Sequence, residues 1–376
     1  MAKQRQRIRY AHAAMLLGIF VLFSCTSAAQ GNTTAKQRPA PDQGESKELQ
    51  RKQIKYKNPL WSGYFADPAV IKEAHCYYAF GTGEAAGGKR FPVLRSYDLV
   101  NWQALEGALL PVADPKLKDY WAPEPCKSGD DFILFYSAGS PDGLDHQLRV
   151  ARSKQPQGPY RDCGKVLIPQ EPFSIDPHPF LDDDGRWYLF FVKDELEGER
   201  PGTAIAVVPL TADLLSTDGA VRTILKPSAD WQVFGRNREW YGRKWKEWYC
   251  IEGPYVIKRG GKYYCFYSGG CWETPGYGLA YAVADNVQGP YKDFGTTDGA
   301  AVLHGNEQLI GPGHNSIVEG PDGQDYVVYH AWDKEHTARR ICIDPLIWKD
   351  GVPRCDGPKT EGTMLIKDLS TTSACP

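Results

Sequence analysis

One plan recurs five times along this chain, and it limits the fold more than any other feature. The stretches are DPAVIKEAHCYYAFGTG from Asp67, APEPCKSGDDFILFYSAG from Ala122, DPHPFLDDDGRWYLFFV from Asp176, EGPYVIKRGGKYYCFYSGG from Glu252 and HNSIVEGPDGQDYVVYHAW from His314. Each opens on a polar or small residue, runs through a short apolar strand, turns at Gly or Asp and returns through an aromatic-rich strand, the pattern of a β-hairpin. Consecutive starts lie 55, 54, 76 and 62 residues apart, room for the four strands of a propeller blade plus loops. VARSKQPQGPYRD from Val150 and YAVADNVQGPYKD from Tyr281 occupy similar places after their hairpins. Long amphipathic helical patterns are scarce, so the reading is all-β. A two-sheet sandwich also supplies regularly spaced strands, but it does not require similar openings at blade-length intervals. The expectation is a five-bladed β-propeller over residues 58–370, in which the repeat openings converge on one central pocket.

The segments before residue 58 read differently. A basic start (Lys3, Arg5, Arg7, Arg9), the apolar run from Met15 to Phe23 and the small residues after it form an export signal over residues 1–25. The run is too short to span a bilayer as a stable helix. Leu22 to Cys25 resembles a lipoprotein signal that would put a lipid anchor on Cys25; cleavage after Ala29 is the rival. The exported protein is then periplasmic, an outer-membrane lipoprotein or secreted. Residues 26–57 are polar with almost no apolar period and are expected to be a disordered linker.

Lys plus Arg number 44 against 46 Asp plus Glu, and outside the N-terminus no long basic stretch occurs, which excludes nucleic acid as the expected partner. The ten cysteines lack CxxC pairs and zinc-type spacing, so in an exported chain they suggest disulfides. A hairpin turning at Gly260-Gly261 would place Cys250 opposite Cys271. The chain is expected to act as a monomer.

Three of the five openings supply an acid: Asp67, Asp176 and Glu252 each precede Pro or Gly-Pro. One Asp-Pro pair is an ordinary turn starter. Three acids at matching positions of repeated units are harder to explain as turns. Cleavage of a glycosidic bond needs two carboxyl groups flanking it, one protonating the departing oxygen and one serving the opposite face of the sugar.

FADPAV, YWAPEP, SIDPHPF, IEGPYV and GPGHNSIV, in that order, together with SYDLVNW from Ser96, resemble glycoside hydrolase family 43, the arabinanase, arabinofuranosidase and β-xylosidase propellers. The resemblance covers roughly Asn58 to Asp356. It implies an inverting hydrolase in which Asp67 is the general base, Glu252 the general acid and Asp176 the residue that tunes and orients the acid. Inversion implies base and acid carboxyls roughly 6.5 to 9.5 Å apart. Glu252 must hold its proton near neutral pH, and a nearby Asp176 with partial desolvation would raise it. The resemblance further implies that Arg339 contacts the sugar and that His314 helps hold a central cation, usually calcium with water ligands. No cofactor is needed for the chemistry itself, and a hydrogen-bonded structural histidine is the alternative for His314.

Trp121 opens the second repeat and is read as a sugar-facing wall. Phe65, Phe173 and Ile175 flank the acids and either line the pocket or fill the core, with the core favoured. DDDG at Asp182 to Gly185 is read as a turn. GPGHNSIV and IDPLIWKDGVP look closer to the arabinan-active branch, so the expected substrate is plant polysaccharide or oligosaccharide, arabinan or arabinoxylan, cleaved at α-L-arabinofuranosyl linkages, with β-xylosides second. The stretch Trp231 to Trp248 precedes Glu252 and, if it walls off one end of the funnel, favours exo action. Two rival classes stay open: a retaining fructan-type propeller, whose WMNDPNG-like and ECP-like signatures are lacking here, and a non-catalytic sugar-binding envelope propeller.

Overall fold

The repeated strands and turns become five antiparallel sheets, each running outward from one inner strand. In this computed structural model residues 51–295 and 298–367 are described. Blade 1 comprises Ala66–Glu73, Cys76–Thr82, Val93–Ser96 and Trp102–Ala104; blade 2 comprises Asp119–Ser128, Asp131–Gly139, Gln147–Ser153 and Arg161–Val166. Blade 3 holds Ser174–Leu181, Trp187–Glu195, Gly202–Pro209 and Arg222–Leu225, and carries an extra hairpin, Val233–Trp240 with Arg243–Tyr249. Blade 4 holds Ile251–Arg259, Lys262–Gly269 and Gly278–Ala284 with two short outer strands, and blade 5 holds Leu309–Glu319, Asp325–Asp333, Arg339–Lys349 and Val352–Cys355. The fold is the expected five-bladed β-propeller.

The core is divided as a ring requires. Five apolar clusters lie one at each blade junction: Phe80 with Tyr136 between blades 1 and 2, Phe135 with Phe191 between 2 and 3, Phe190 with Tyr267 between 3 and 4, Phe266 with Tyr329 between 4 and 5, and Tyr326 with Tyr77 between 5 and 1. Every blade is thus apolar on both faces, which explains near-continuous runs such as Tyr188 to Val192, where a half-exposed strand would alternate. Burying one such large side chain contributes roughly 1.5–3 kcal/mol.

The ring closes between blades 5 and 1. Leu60 and Phe65 donate their amides to the carbonyls of Ile341 and Arg339, at 2.8 and 2.9 Å. Asn58, buried, donates through Nδ2 to the carbonyls of Ile343 and Lys359, both at 2.8 Å, and accepts the Ile343 amide at 3.0 Å. Residues 51–57, assigned to the linker from sequence, form a strand instead. Arg51–Lys57 pairs antiparallel with Glu361–Lys367, because Ile54 and Tyr56 find apolar cover in the junction of blades 5 and 1. The export signal with Cys25, the rest of the linker and residues 368–370 lie outside the described residues.

The hairpin of blade 4 does turn at Gly260-Gly261, where φ is 58° and 75°, values that glycine adopts without strain. A bulge between Glu252 and Tyr255 then shifts the register by one residue. Cys250 is therefore no longer opposite Cys271, and both are free thiols; among the described cysteines only Cys76 is disulfide-bonded. The DDDG stretch is a turn, closed by the Gly185 amide on the Asp182 carbonyl at 3.0 Å. Asn58→Ala is expected to lower stability by about 2–4 kcal/mol, since it leaves buried backbone groups at the seam unpaired. Chemical denaturation checks this, and an unchanged midpoint would mean that the seam does not depend on Asn58.

Candidate active site

Each inner strand breaks its ladder near its start. Bulges fall between Ala66 and Ala69, Trp121 and Glu124, Ile175 and His178, Glu252 and Tyr255, and Gly313 and Ser316. The residue after the first of each pair is left-handed: Asp67 (φ 50°), Ala122 (47°), Asp176 (54°), Gly253 (56°) and His314 (47°). For a residue with a Cβ this costs roughly 1–2 kcal/mol, and the bulge takes its amide out of the ladder.

A side chain from the preceding blade accepts each of these amides. Thr82 Oγ1 takes Ala122 at 2.8 Å, Ser137 Oγ takes Asp176 at 3.1 Å, Ser268 Oγ takes His314 at 2.7 Å and His330 Nδ1 takes Asp67 at 3.1 Å. Those four residues share one register, opposite Ala66, Trp121, Glu252 and Gly313. In blade 3 the same position is Val192, opposite Ile175, which cannot accept. There the carboxylate of Asp176 itself takes the Gly253 amide, Oδ2 to N 3.0 Å. The three acids are consequently not at matching positions, as the repeats suggested. Asp67 and Asp176 are left-handed residues, whereas Glu252 stands one step earlier, level with Trp121 and Ile175.

These kinks deliver all three carboxyls to one cavity of about 470 Å³, together with Tyr64, Trp121, Ile175, Trp272, His314 and Arg339. Of the sequence-selected residues, Phe173 packs in the junction of blades 3 and 4 and does not line this cavity, and neither does Phe65. That ring is 1% exposed and packs in the junction of blades 5 and 1, against the backbone of Gly81, while its neighbour Tyr64 faces the cavity. Trp121 stacks on His146 at 3.6 Å between ring centres.

The acids sit in different fields. Burial alone would raise Asp67, but Arg339 and then His314 outweigh it and hold its carboxyl well below the usual range. Arg339 Nη1 lies 3.0 Å from Asp67 Oδ1 and donates through Nη2 to the Tyr64 hydroxyl at 2.7 Å, and its guanidinium lies over Trp272, 4.3 Å from the ring centre. Asp176 moves the opposite way. Burial, then Glu252 and Asp67, raise it to about 7 against the attraction of His314. His314, with Nδ1 3.5 Å from Asp67 and 3.9 Å from Asp176, is raised because the carboxylates outweigh its burial. His330, fully buried, is lowered to about 4 by that burial and stays neutral.

Glu252 is gripped at both oxygens. The Tyr277 hydroxyl donates to Oε1 at 2.7 Å, and the Cys250 sulfur lies 3.1 Å from Oε2. Burial pushes both donor groups well above their ordinary ranges, so they keep their protons. Neither residue was selected from sequence, nor was His330, which lacks zincin spacing. A lone tyrosine or cysteine carries no local signal, but the polar residue preceding Gly or Ala at the end of the second strand in four of the five blades (Thr82, Ser137, Ser268, His330) was there to be aligned.

Among the described residues no group of three or more His, Cys, Asp or Glu is arranged to hold a metal. His314 offers one nitrogen to a cation that prefers oxygen, and its Nδ1 is directed at the carboxylates, so these side chains alone do not make a calcium site.

The family model for glycosyl hydrolases family 43 matches residues 56–353. The chain belongs to that family. It is therefore a glycoside hydrolase, and inversion is a property of family 43. Similar curated proteins include a β-D-galactofuranosidase of Aspergillus niger, 28% identical over 78% of this chain and 82% of the relative. Another is the extracellular exo-α-(1→5)-L-arabinofuranosidase ArbA of Cellvibrio japonicus, 26% identical over 77% of this chain and 86% of the relative. Among solved structures, a thermostable family-43 glycoside hydrolase superposes with a TM-score of 0.70 at 34% identity, covering 81% of this chain and 97% of that one.

The raised carboxyl has a consequence for this family 43 enzyme. Between about pH 4, the ordinary Asp range, and about 7, the folded enzyme keeps a proton on Asp176 that the unfolded chain has lost. The Asp176 contribution to stability should therefore fall as pH rises through that window. Asp176→Asn is expected to remove that contribution. What remains is a decline due to Asp194 and Asp344, each raised to about 6 mainly by burial, set against a rise due to His146 and His330, each lowered to about 4 by burial. Melting curves from pH 4 to 7 check this; an equal slope in the variant would assign the proton elsewhere.

Proposed function

We propose that this enzyme hydrolyses α-L-arabinofuranosyl linkages in plant arabinan or arabinoxylan, with Asp67 as general base, Glu252 as general acid and Asp176 as the residue that tunes and places the acid. The observation that carries the assignment is the unequal setting of the carboxyls around one cavity. Asp67 is held ionised by Arg339 and His314, whereas Glu252 has no cation in ion-pair contact among the described residues and is held by the Tyr277 hydroxyl and the Cys250 thiol. A base must be ionised to take a proton from water, and an acid must have one to give.

In this reading Asp67 draws a proton from the attacking water while Glu252 delivers one to the departing oxygen. Cys250 suits both states of Glu252. Its thiol donates to the carboxylate left after transfer, and its sulfur can accept weakly from the carboxylic acid before it. Asp176 acts on the strand: by accepting the Gly253 amide it fixes the backbone immediately after Glu252. A calcium held mainly by water beside His314 stays part of the proposal and supplies no step.

A five-membered ring as the sugar attacked is supported by the names of the two curated relatives, both furanosidases. The word extracellular in one of those names, with the basic and apolar N-terminus, supports an exported enzyme. β-Xylosides are the alternative substrate. Initial rates on aryl α-L-arabinofuranoside, β-D-galactofuranoside and β-D-xylopyranoside, with product profiles on linear arabinan and arabinoxylan, test the choice. The arabinofuranoside should show the highest kcat/KM, and a higher value for the xyloside would replace the reading. Asp67→Ala and Glu252→Gln should each lower kcat by about 10²- to 10⁴-fold; normal turnover in Asp67→Ala would remove it as the base.

A further inference from the structure

Past Glu252 the catalytic cavity opens into a second one of about 260 Å³, and Trp121, Ile175, Glu252 and Trp272 line both. Asp67, Asp176, His314 and Arg339 line only the first. The two spaces therefore meet at the carboxyl assigned as acid, with the base confined to one side.

The far wall of the second cavity is the extra hairpin of blade 3, Val233–Trp240 with Arg243–Tyr249, which has no counterpart in the other blades among the described residues. It does not seal the funnel, as the sequence allowed; it extends it. The rings of Trp240 and Trp248 stack 6.0 Å apart at 25°. The Arg238 guanidinium lies 3.5 Å from the centre of Trp240 and 4.7 Å from that of Phe234. Arg238 is half-buried, and among the described residues no hydrogen bond or ion pair occupies its donors. Asp194, also on the cavity wall, accepts from the Tyr241 hydroxyl of the hairpin. The wall thus combines an apolar face, an uncommitted planar donor and a carboxyl acceptor, which together match a sugar ring with its C–H face and its hydroxyls. The volume lies below the roughly 300–1,000 Å³ of sites for drug-sized ligands, so it suits one ring rather than a chain.

We propose that this second cavity binds the first sugar of the leaving group, with Trp240 as its stacking face and Arg238 and Asp194 as its hydroxyl partners. The inference rests on Glu252 being the acid, because the departing oxygen must lie on the acid's side and its sugar must then extend away from Asp67.

The test compares KM for an arabinobiose, whose leaving group is a sugar, with KM for methyl α-L-arabinofuranoside, whose leaving group is too small to reach the hairpin. Trp240→Ala and Arg238→Ala should raise KM for the disaccharide about tenfold more than for the methyl glycoside, while Trp240→Phe keeps most of the preference. Arg238 lies on the Trp240 ring, so Arg238→Lys, which keeps a cation over that ring but loses the planar fork, gives the second reading and should also raise KM for the disaccharide more than for the methyl glycoside. Equal changes on both substrates would overturn the proposal and make the hairpin a structural prop. Inactivity of the unaltered enzyme on both would overturn the arabinofuranoside reading, and this proposal with it.

Discussion

The site depends on five amides that the inner strands cannot satisfy within their own sheets. Each bulge turns one residue left-handed and aims the segment around it at the axis, and a side chain of the preceding blade takes the stranded N–H. The contact always crosses a blade junction, so ring closure and active-site geometry rest on the same bonds. His330 shows how tightly the two are joined: it holds the Asp67 backbone across the seam between blades 5 and 1, and its neutral ring lies against the Asp67 carboxylate.

Blade 3 departs from the pattern, and the departure has chemical consequences. With Val192 in the acceptor position, the amide after Glu252 must be taken by Asp176. A carboxyl that would otherwise be free is thereby drawn under the next blade, into a buried position near Glu252 and Asp67, where it keeps its proton to about pH 7. Tuning of the acid and the propeller's own architecture meet in one side chain. A Ser or Thr in place of Val192 would supply the structural bond but not a titratable carboxyl beside Glu252.

Much of this was legible in the sequence, because repetition survives where local propensity is ambiguous. The five hairpins, the three acids, Trp121, Ile175, His314 and Arg339 followed from aligned openings and family motifs, and all of these residues line the cavity. What failed did so through single-residue register. The bulges, invisible to a period-two pattern, put Glu252 one step from its supposed equivalents and broke the symmetry that placed Cys250 opposite Cys271. Phe65 fills the core, the favoured of its two readings. Its neighbour Tyr64, not singled out from sequence, faces the cavity, because which of two neighbouring rings faces the axis depends on backbone direction, which composition does not carry. Tyr277 and Cys250 were not legible at all, since they act only through their proximity to Glu252.

The central claim is directional: water and base on one side of the sugar, acid and leaving group on the other, fixed by kinks that a closed ring of blades imposes. A crystal structure of Asp67→Ala with an uncleaved arabino-oligosaccharide measures this most directly. The account predicts the scissile oxygen within hydrogen-bonding distance of Glu252, the sugar under attack beside residue 67 and Arg339, and the next sugar against Trp240. A chain bound with its scissile oxygen remote from Glu252, or with its leaving sugar on the Asp67 side, would contradict it.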